Sequence, residues 1–213
     1  MTTRGVKKPA APRRRAYHHG DLRQALVDAT LKLIATEDVG AVSLREVARR
    51  AGVTAAAPYH HFRDKDALLA AVAEEGYRAL NQRMDDALSS LRAPRQDSQL
   101  RALTRCYVRF AVEHPAHYRV MFRPEWSDEE KYASLHTEGM RAYGRLQTLA
   151  REAKEATGDK VDMDTLAFTI WAWVHGLAAL WNEGPLRKKS RSDSIEPLLE
   201  RSTELFVGWV MAK

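Results

Sequence analysis

The 213-residue chain contains one cysteine, Cys106, and no long apolar run. A single cysteine excludes an internal disulfide framework and a cysteine-cluster zinc site. Because no stretch of about eighteen apolar residues is present, a transmembrane helix is not expected. The basic N-terminus has no apolar segment behind it and therefore differs from a secretory signal. These absences favour a cytoplasmic protein that does not contact a membrane.

Glycine and proline are also scarce, with 11 and 8 residues. Strand-like alternation is hard to find, whereas apolar residues recur at helical spacing along most of the chain. We therefore predict an all-α protein. The predicted helices lie at about 21–37, in two pieces within 43–62, and at about 64–91, 97–113, 115–123, 127–157, 164–183 and 194–212. Asp64 is the predicted cap of the 64–91 helix, and either Asp162 or Asp164 begins the helix that ends near 183. A capping box at Ser127 and Glu130 begins the helix that Gly158 stops, and a basic loop is predicted at 185–193.

The net charge of +6 is unevenly distributed. Residues 1–66 contain 13 Lys or Arg and 7 Asp or Glu, whereas residues 67–213 contain 21 of each. A clustered basic end is expected of a phosphate-binding surface, and a solvated basic tail is the alternative. Residues 1–16 are rich in Pro, Ala and Arg, which predicts a disordered arm. Three of its cations, which could reach phosphates or a minor groove, are Arg13, Arg14 and Arg15.

Residues 43–62, with the sequence SLREVARRAGVTAAAPYHHF, predict two short helices joined by a tight turn. Ser43 and Glu46 have the spacing of a capping box, and Gly52 suits the positive φ of a helix end. Thr54 is the predicted cap of the second helix. A helix-turn-helix places its second helix in the DNA major groove. Pro58 lacks an N–H group about four residues after the cap, so we expect the start of this helix to be irregular.

This segment and its flanks resemble the TetR family of bacterial transcriptional regulators. The matching residues, which span about 18–70, are the helix Leu22–Ile34, Gly40, SLREVA at 43–48, AGV at 51–53, YHHF at 59–62, Lys65, Leu68 and Leu69. Pro58 departs from the Leu or Ile that is usual in the family. The resemblance implies a nine-helix, all-α TetR-like fold. Its parts would be an arm at 1–16, a DNA-binding head at 17–66 and a body for ligand binding and dimerisation at 67–213, with the 64–91 helix linking head and body.

The resemblance also implies where the head contacts DNA. Arg45 matches a position that commonly contacts a base, and arginine can bond guanine O6 and N7 together. The outward positions of the second helix are Ala55, Ala56, Ala57 and His60. Since alanine can only contact thymine methyl groups, base reading should depend on Arg45, His60 and DNA shape, although plain helix propensity also explains the alanines. The family's phosphate-binding positions are matched by Thr54, Tyr59 and Lys65; half-buried packing is the alternative for Tyr59.

The body is rich in aromatic and methionine side chains, a composition that can enclose an apolar ligand cavity. The predicted lining consists of Tyr107, Phe110, Met121, Phe122, Trp126, Met140, Tyr143, Phe168, Trp171 and His175. Core packing is the alternative for each of them. The run WAWVHG at 171–176 resembles a Trp-His-Gly signature of one TetR subgroup. His175 could hydrogen-bond a ligand or be a satisfied core histidine.

The helix at 164–183 is apolar on every side, which predicts burial on every side. It and the last helix should pair with their copies in a four-helix dimer interface. The predicted interface residues are Ala172, Gly176, Ala179, Leu198, Leu199, Ser202, Phe206 and Trp209. The resulting hypothesis is a homodimeric repressor that a small apolar or aromatic ligand releases from a palindromic operator.

Two other classes remain open at this stage. A nonspecific nucleoid-type protein would also carry a basic end, and a small helical enzyme could pair Cys106 with a histidine. Cys106 falls within an amphipathic helix without a motif that would activate it, which favours core packing. Neither a metal nor a cofactor is expected, because the adjacent histidines at 18–19 lack further ligands. Those at 60–61 would point about 100° apart on a helix.

Overall fold

The computed structural model describes residues 19–157 and 162–212. Within these ranges it contains nine α-helices, three short 3-10 helices and no strand, which confirms the all-α prediction. The helices are α1 His19–Thr36, α2 Leu44–Ala51, α3 Lys65–Ser89, α4 Gln96–Glu113, α5 Pro115–Met121, α6 Ala133–Thr157, α7 Met163–Asn182, α8 Pro185–Ser190 and α9 Glu196–Val210. The predicted arm with its three arginines and the predicted helix stop at Gly158 lie outside the described residues.

Several helix ends follow from caps that the sequence predicted. The Ser43 hydroxyl accepts a hydrogen bond from the Glu46 N–H at 3.2 Å, and Gly52 has a φ of 70° at the end of α2. Asp64 caps α3 through the Ala67 N–H at 2.7 Å. Asp162 caps α7 through the Thr165 N–H at 2.8 Å. Side-chain oxygens that satisfy the first free N–H groups of a helix explain why these boundaries were readable.

The second helix of the predicted pair is not an α-helix. Residues 55 and 56 form a turn, and Ala57–His60 form a 3-10 helix. An α-helix capped by Thr54 would need an N–H at position 58 to bond the Thr54 carbonyl, and Pro58 has none. The Ala57 N–H bonds that carbonyl at 3.0 Å instead, which tightens the turn. The expected irregularity is confirmed, and the predicted cap at Thr54 is wrong.

Other predicted boundaries also need correction. Helix α1 begins at His19 rather than near Asp21, and α6 begins at Ala133 rather than at Ser127. A 3-10 helix at Pro124–Ser127 precedes α6, since the buried Trp126 indole donates to the Val120 carbonyl at 2.6 Å and holds this segment against α5. The predicted loop at 185–193 contains α8, which Pro185 starts at its first position.

Helices α1 and α2 with the 3-10 segment form the head, and the long α3 continues from the head into the body. In the body, α3 packs on α4, α5 and α6, while α4 also packs on α7 and α9. Helices α4 and α9 run antiparallel and are joined by a ladder of ion pairs at every fourth residue. The pairs of this ladder are Arg101–Glu204, Arg105–Glu200 and Arg109–Glu196.

Helix α7 is not buried on every side within one chain. One face carries the exposed side chains of Phe168, Ala172 and Leu180. The prediction of complete burial is therefore wrong for the single chain, because none of the helices in residues 19–157 and 162–212 covers this face. By length and composition alone α7 could also cross a membrane, a test that core helices of soluble proteins pass as well.

Candidate nucleic-acid interface and ligand cavity

The candidate DNA-contacting residues lie on the surface of the head, which is built on a small buried core. Val47 and Phe62 are almost completely buried, and Pro58 packs inward beside them. The opposite surface of the head exposes Arg45, Thr54, Ala55, Ala56, Tyr59 and His60, whereas Ala57 is half-buried. Rigid backbone with short or uncommitted side chains on its surface is suited to close contact with another molecule.

Arg45 differs from the other two arginines of α2. Arg49 and Arg50 both pair with Glu46, and Arg50 also reaches Glu37. Hydrogen bonds from Arg49 and then Arg50 lower the pKa of Glu46 to about 2. Arg45 is exposed and has no hydrogen-bond or ion-pair partner within the part of the chain that the structure describes. It is therefore the cation of α2 that remains available for a ligand.

The predicted phosphate contacts occupy different environments. Tyr59 is 55% exposed, so its hydroxyl is accessible and the half-buried alternative does not describe it. Thr54 is exposed on the turn before the 3-10 helix. The Lys65 ammonium donates to the Gly40 carbonyl at 3.0 Å, which connects the start of α3 to the loop after α1. Since an ammonium has three N–H donors, Lys65 retains two for other partners.

The excess positive charge lies before the folded head. Residues 1–18 contain six Lys or Arg and no acidic residue, whereas residues 19–66 contain seven of each kind. The described part of the head is therefore neutral by count, so the excess charge of residues 1–66 lies in residues 1–18 and not in the helix-turn-helix itself. The charge available for general attraction to phosphates belongs to the preceding segment.

The head and the body meet where α1, α3 and α5 pack together. The Arg119 guanidinium of α5 donates to the Ile34 carbonyl near the end of α1 at 2.9 Å. Glu75 of α3 accepts from the Gln24 amide at 2.8 Å and lies 3.2 Å from the His117 ring nitrogen. Helix α5 therefore holds both α1 and α3 through side chains that are polar and specific.

The body encloses a cavity of about 320 Å³ between α3, α4, α5, α6 and α7. Eight of the ten predicted lining residues surround it, namely Tyr107, Met121, Phe122, Trp126, Met140, Tyr143, Phe168 and Trp171. Phe110 lies outside the cavity, in the core beneath the Arg83 guanidinium. His175 is also outside and lines a neighbouring pocket behind Phe122.

Half of the cavity lining was missed by the sequence analysis. The additional residues are Tyr77, Leu80, Met84, Leu135, His136, Gly139, Ala142 and Leu146. They form one stripe on α3 and one on α6, each at helical spacing. Periodicity could have identified both stripes as buried faces, but a buried face next to empty space has the same sequence pattern as one next to a neighbouring side chain.

His175 is a satisfied histidine in the wall between the two pockets. Its Nδ1 atom lies 2.9 Å from the Tyr107 hydroxyl and 3.0 Å from the Tyr118 hydroxyl. Burial lowers the pKa of His175, so the ring is favoured in its neutral form. The structure thus favours the core interpretation of this residue over a ligand contact in the main cavity.

Cys106 gives no support to the enzyme alternative. Burial raises the pKa of its thiol to about 11, so the thiol is protonated at neutral pH. The thiolate is the nucleophilic form of cysteine, and activated cysteines have lowered pKa values. Its half-buried position on α4 among core side chains is that of a packing residue.

The candidate dimer surface consists of the uncovered faces of α7 and α9. Leu205 and Trp209 of α9 are 78% and 62% exposed, and Leu205 was not among the predicted interface residues. Ala172 is exposed, while Gly176, Ala179, Leu198, Ser202 and Phe206 are partly exposed. Leu199 is fully buried within its own chain, which removes it from the candidates.

Two family models match this chain. Residues 26–72 match the model described as bacterial regulatory proteins, tetR family, and residues 100–206 match the model described as tetracyclin repressor-like, C-terminal domain. Neither description names the Trp-His-Gly subgroup, so that resemblance stays a prediction. The two matched segments lie on either side of residues 73–99, which include the middle of α3.

Individual proteins are similar over much of their length. The chain is 27% identical to the uncharacterized HTH-type transcriptional regulator YobS of Bacillus subtilis over 74% of this chain and 93% of YobS. It is 35% identical to the HTH-type transcriptional regulator BetI of Rhizobium meliloti over 51% of this chain and 54% of BetI. A structure of a protein with unknown function from Rhodococcus sp. RHA1 superposes with a TM-score of 0.74 and 28% identity, covering 91% of this chain and 97% of that one.

Proposed function

We propose that this chain, which belongs to the TetR family of DNA-binding transcriptional regulators, acts as a homodimeric repressor that a small apolar or aromatic ligand releases from a palindromic operator. The observation that carries the proposal is that α3 and α5, the two helices of the body that contact α1 of the head, also line the apolar cavity. Such a regulator works in the cytoplasm, has no catalytic activity and takes its specificity from the head and its regulation from the body.

On DNA, Arg45 reads a base, because it is the uncommitted cation of α2. The exposed Ala55 and Ala56 allow the backbone to approach the groove, and His60 lies on the same surface. The hydroxyls of Thr54 and Tyr59 and the remaining donors of Lys65 bind phosphates and set the register. The basic segment with Arg13, Arg14 and Arg15 adds attraction that does not depend on sequence.

Two copies associate through the uncovered faces of α7 and α9. Exposed large apolar side chains such as Leu180, Leu205 and Trp209 favour an interface of this kind. The small residues Ala172, Gly176 and Ala179 allow two helices to approach closely. A symmetric dimer then presents two recognition segments to half-sites about one DNA turn apart.

The packing of α5 supports a route from the cavity to the head. Met121 lines the cavity, and a Cβ atom added at Gly76 would lie only 2.8 Å from its sulfur, so α3 and α5 are in close contact there. A ligand that displaces Met121 shifts α5 or α3. Because Arg119 holds Ile34 and Glu75 holds Gln24, this shift moves α1 and changes the distance between the two heads.

The test begins with selection of DNA bound by the protein from a random pool. Affinities for the selected and a scrambled duplex are then measured at one salt concentration, for the wild type, Arg45→Ala and the matched control Arg49→Ala. We expect Arg45→Ala to lose about 10–100-fold for the selected duplex and little for the scrambled one. Arg49→Ala should weaken both duplexes alike.

Equal affinity of the wild type for both duplexes would instead indicate the nucleoid-type alternative, in which binding is electrostatic only. The regulatory half is tested on the same complex by adding small apolar and aromatic compounds, both uncharged and charged. Failure of every such compound that binds the protein to change operator affinity would refute release by a ligand.

A further inference from the structure

We infer that the cavity selects an uncharged aromatic molecule with one hydrogen-bonding group, and that this group pairs with the Tyr143 hydroxyl. The inference deepens the proposed function and rests on it for the role of the ligand, since it names the chemical class that the cavity accepts. It is carried by the charges, the hydrogen bonds and the ring geometry of the sixteen lining residues.

The lining contains no Asp, Glu, Lys or Arg. The nearby charged groups of α3 and α6 are already paired with one another, as in the contacts of Arg141 and Arg145 with Asp85. A ligand ion in this cavity would lose its hydration without gaining a counter-charge, which is strongly unfavourable in protein interiors. An uncharged ligand avoids this cost.

Several polar atoms of the wall are already bonded within the protein. The Tyr77 hydroxyl donates to the Met121 carbonyl at 3.2 Å, and the Tyr107 hydroxyl lies 2.9 Å from His175 Nδ1. The Trp126 indole donates to the Val120 carbonyl, and a ring nitrogen of His136 lies at the Trp126 carbonyl. These groups hold the wall together and are not available to a ligand.

Tyr143 is the exception. Among the described residues that line the cavity, its hydroxyl oxygen is the one buried polar side-chain atom without a hydrogen-bond partner. A buried hydroxyl without a partner is costly and gains free energy when a partner arrives. Burial raises the pKa of Tyr143, which keeps the phenol neutral and able to donate or accept.

The rings around Tyr143 favour a flat ligand. Phe168 stacks on Tyr143 with ring centroids 5.7 Å apart and 27° between the planes. Trp171 meets the same ring edge-on at 6.0 Å. The volume of about 320 Å³ is at the low end of the range for small-molecule pockets, which suits one or two fused rings. Met140 and Phe168 are 58% and 53% exposed and mark the entrance beside Tyr143.

The experiment is isothermal titration calorimetry on the full chain without DNA, with three probes of one shape: 2-naphthol, naphthalene and 2-naphthoate. For the wild type we expect 2-naphthol to bind about tenfold more tightly than naphthalene, which is the difference in affinity expected from one additional hydrogen bond. The naphthoate anion should bind at least tenfold more weakly than 2-naphthol. Tyr143→Phe should bring 2-naphthol to within about twofold of naphthalene while leaving naphthalene unchanged.

The matched control is Tyr77→Phe, which removes a hydroxyl from the same cavity wall that is already bonded within the protein. It should preserve the preference for 2-naphthol. Thermal melting checks folding, and Tyr143→Phe should melt no lower than the wild type because it removes a buried hydroxyl without a partner.

Three results would overturn the inference: binding of none of the probes, binding of naphthoate as tight as that of 2-naphthol, or an unchanged 2-naphthol preference in Tyr143→Phe. Failure of the proposed function is a separate result. In that case 2-naphthol binds with the expected preference, but no ligand alters operator affinity. Release of the operator by charged compounds alone would leave the proposed function standing and refute the ligand class.

Discussion

In the head, the local structure depends on residues that are a few positions apart in the sequence. The cavity of the body is instead lined by side chains as far apart in the sequence as Tyr77 and Trp171. Ser43 bonds the Glu46 N–H, and Pro58 shortens the helix in which it sits. In the body, α3 and α7 line the same cavity although three helices separate them in the sequence. The comparison teaches that head residues act locally, while body residues act through the arrangement of whole helices.

The ion pairs show the same difference. On α2, Arg49 and Arg50 pair with Glu46 at helical spacing, so they stabilise the helix that carries them. Between α4 and α9 the ladder that includes Arg105–Glu200 joins two helices that are distant in sequence. The ladder connects one side of α9 to α4, while the side that carries Leu205 and Trp209 is exposed to solvent.

The largest expected effect comes from a body residue far from the head. Leu205→Glu places a charge on the proposed dimer surface, and a charge that is buried without a partner is strongly destabilising. We expect the dimer to dissociate and operator affinity to fall by at least about 100-fold, or roughly 2.7 kcal/mol. Light scattering after gel filtration and DNA titration measure the two effects. The control Arg151→Ala, at an exposed position of α6 outside the proposed surface, should remain dimeric. A dimeric Leu205→Glu variant would place the interface elsewhere.

A smaller effect is expected at the joint between head and body. In Gly76→Ala the new Cβ lies 2.8 Å from the Met121 sulfur and 3.1 Å from the His117 Cβ, and the latter cannot rotate away. We expect the free energy of unfolding to fall by about 1–2 kcal/mol through overpacking, measured by urea denaturation. The control Gly144→Ala has no atom within 4 Å of its new Cβ and should gain up to about 1 kcal/mol. Equal behaviour of the two variants would mean that α3 and α5 are not tightly coupled.

The smallest effect is expected within the head itself. Ser43→Ala removes the cap of α2 and should lower the stability by about 1 kcal/mol, seen as a shift in the thermal melting midpoint. Ser43→Asp keeps a capping oxygen and should restore most of that loss. Dimerisation should be unchanged in both variants. A dimer defect in Ser43→Ala would contradict the local character of the head.

Prediction from sequence succeeded where one residue type has one local role. Gly52 marked the positive φ at the end of α2, and Asp64 marked the start of α3. Asp162, which caps α7, is one of the two residues that were predicted to begin it. Prediction failed where two local signals competed. At Ser127 a capping-box pattern predicted a helix start, but burial of Trp126 held that segment in a separate turn.

The amino-acid composition indicated that the body contains a cavity, but it did not identify all the residues that line it. Aromatic content identified Trp171 and Tyr143, yet it also included Phe110, which has the same chemistry and packs in the core. The stripe that contains Tyr77 lies on a helix assigned to linking the two parts, so its role in the wall was missed. Leu205 was missed because exposure of an apolar side chain depends on how its helix is rotated, and α9 turns its Leu199 and Val207 side inward.

The sequence by itself determined the helical class, the caps at Ser43 and Asp64 and the turn at Gly52, because these depend on hydrogen bonds and φ values within a few residues. It also showed how unevenly the charge is distributed, since charge can be counted. Tertiary structure alone decided which apolar stripe faces the cavity, which hydroxyl stays without a partner, and which face of α7 and α9 is uncovered. These properties depend on contacts between distant helices, because the hydrophobic effect is non-directional and an apolar stripe does not specify what it packs against.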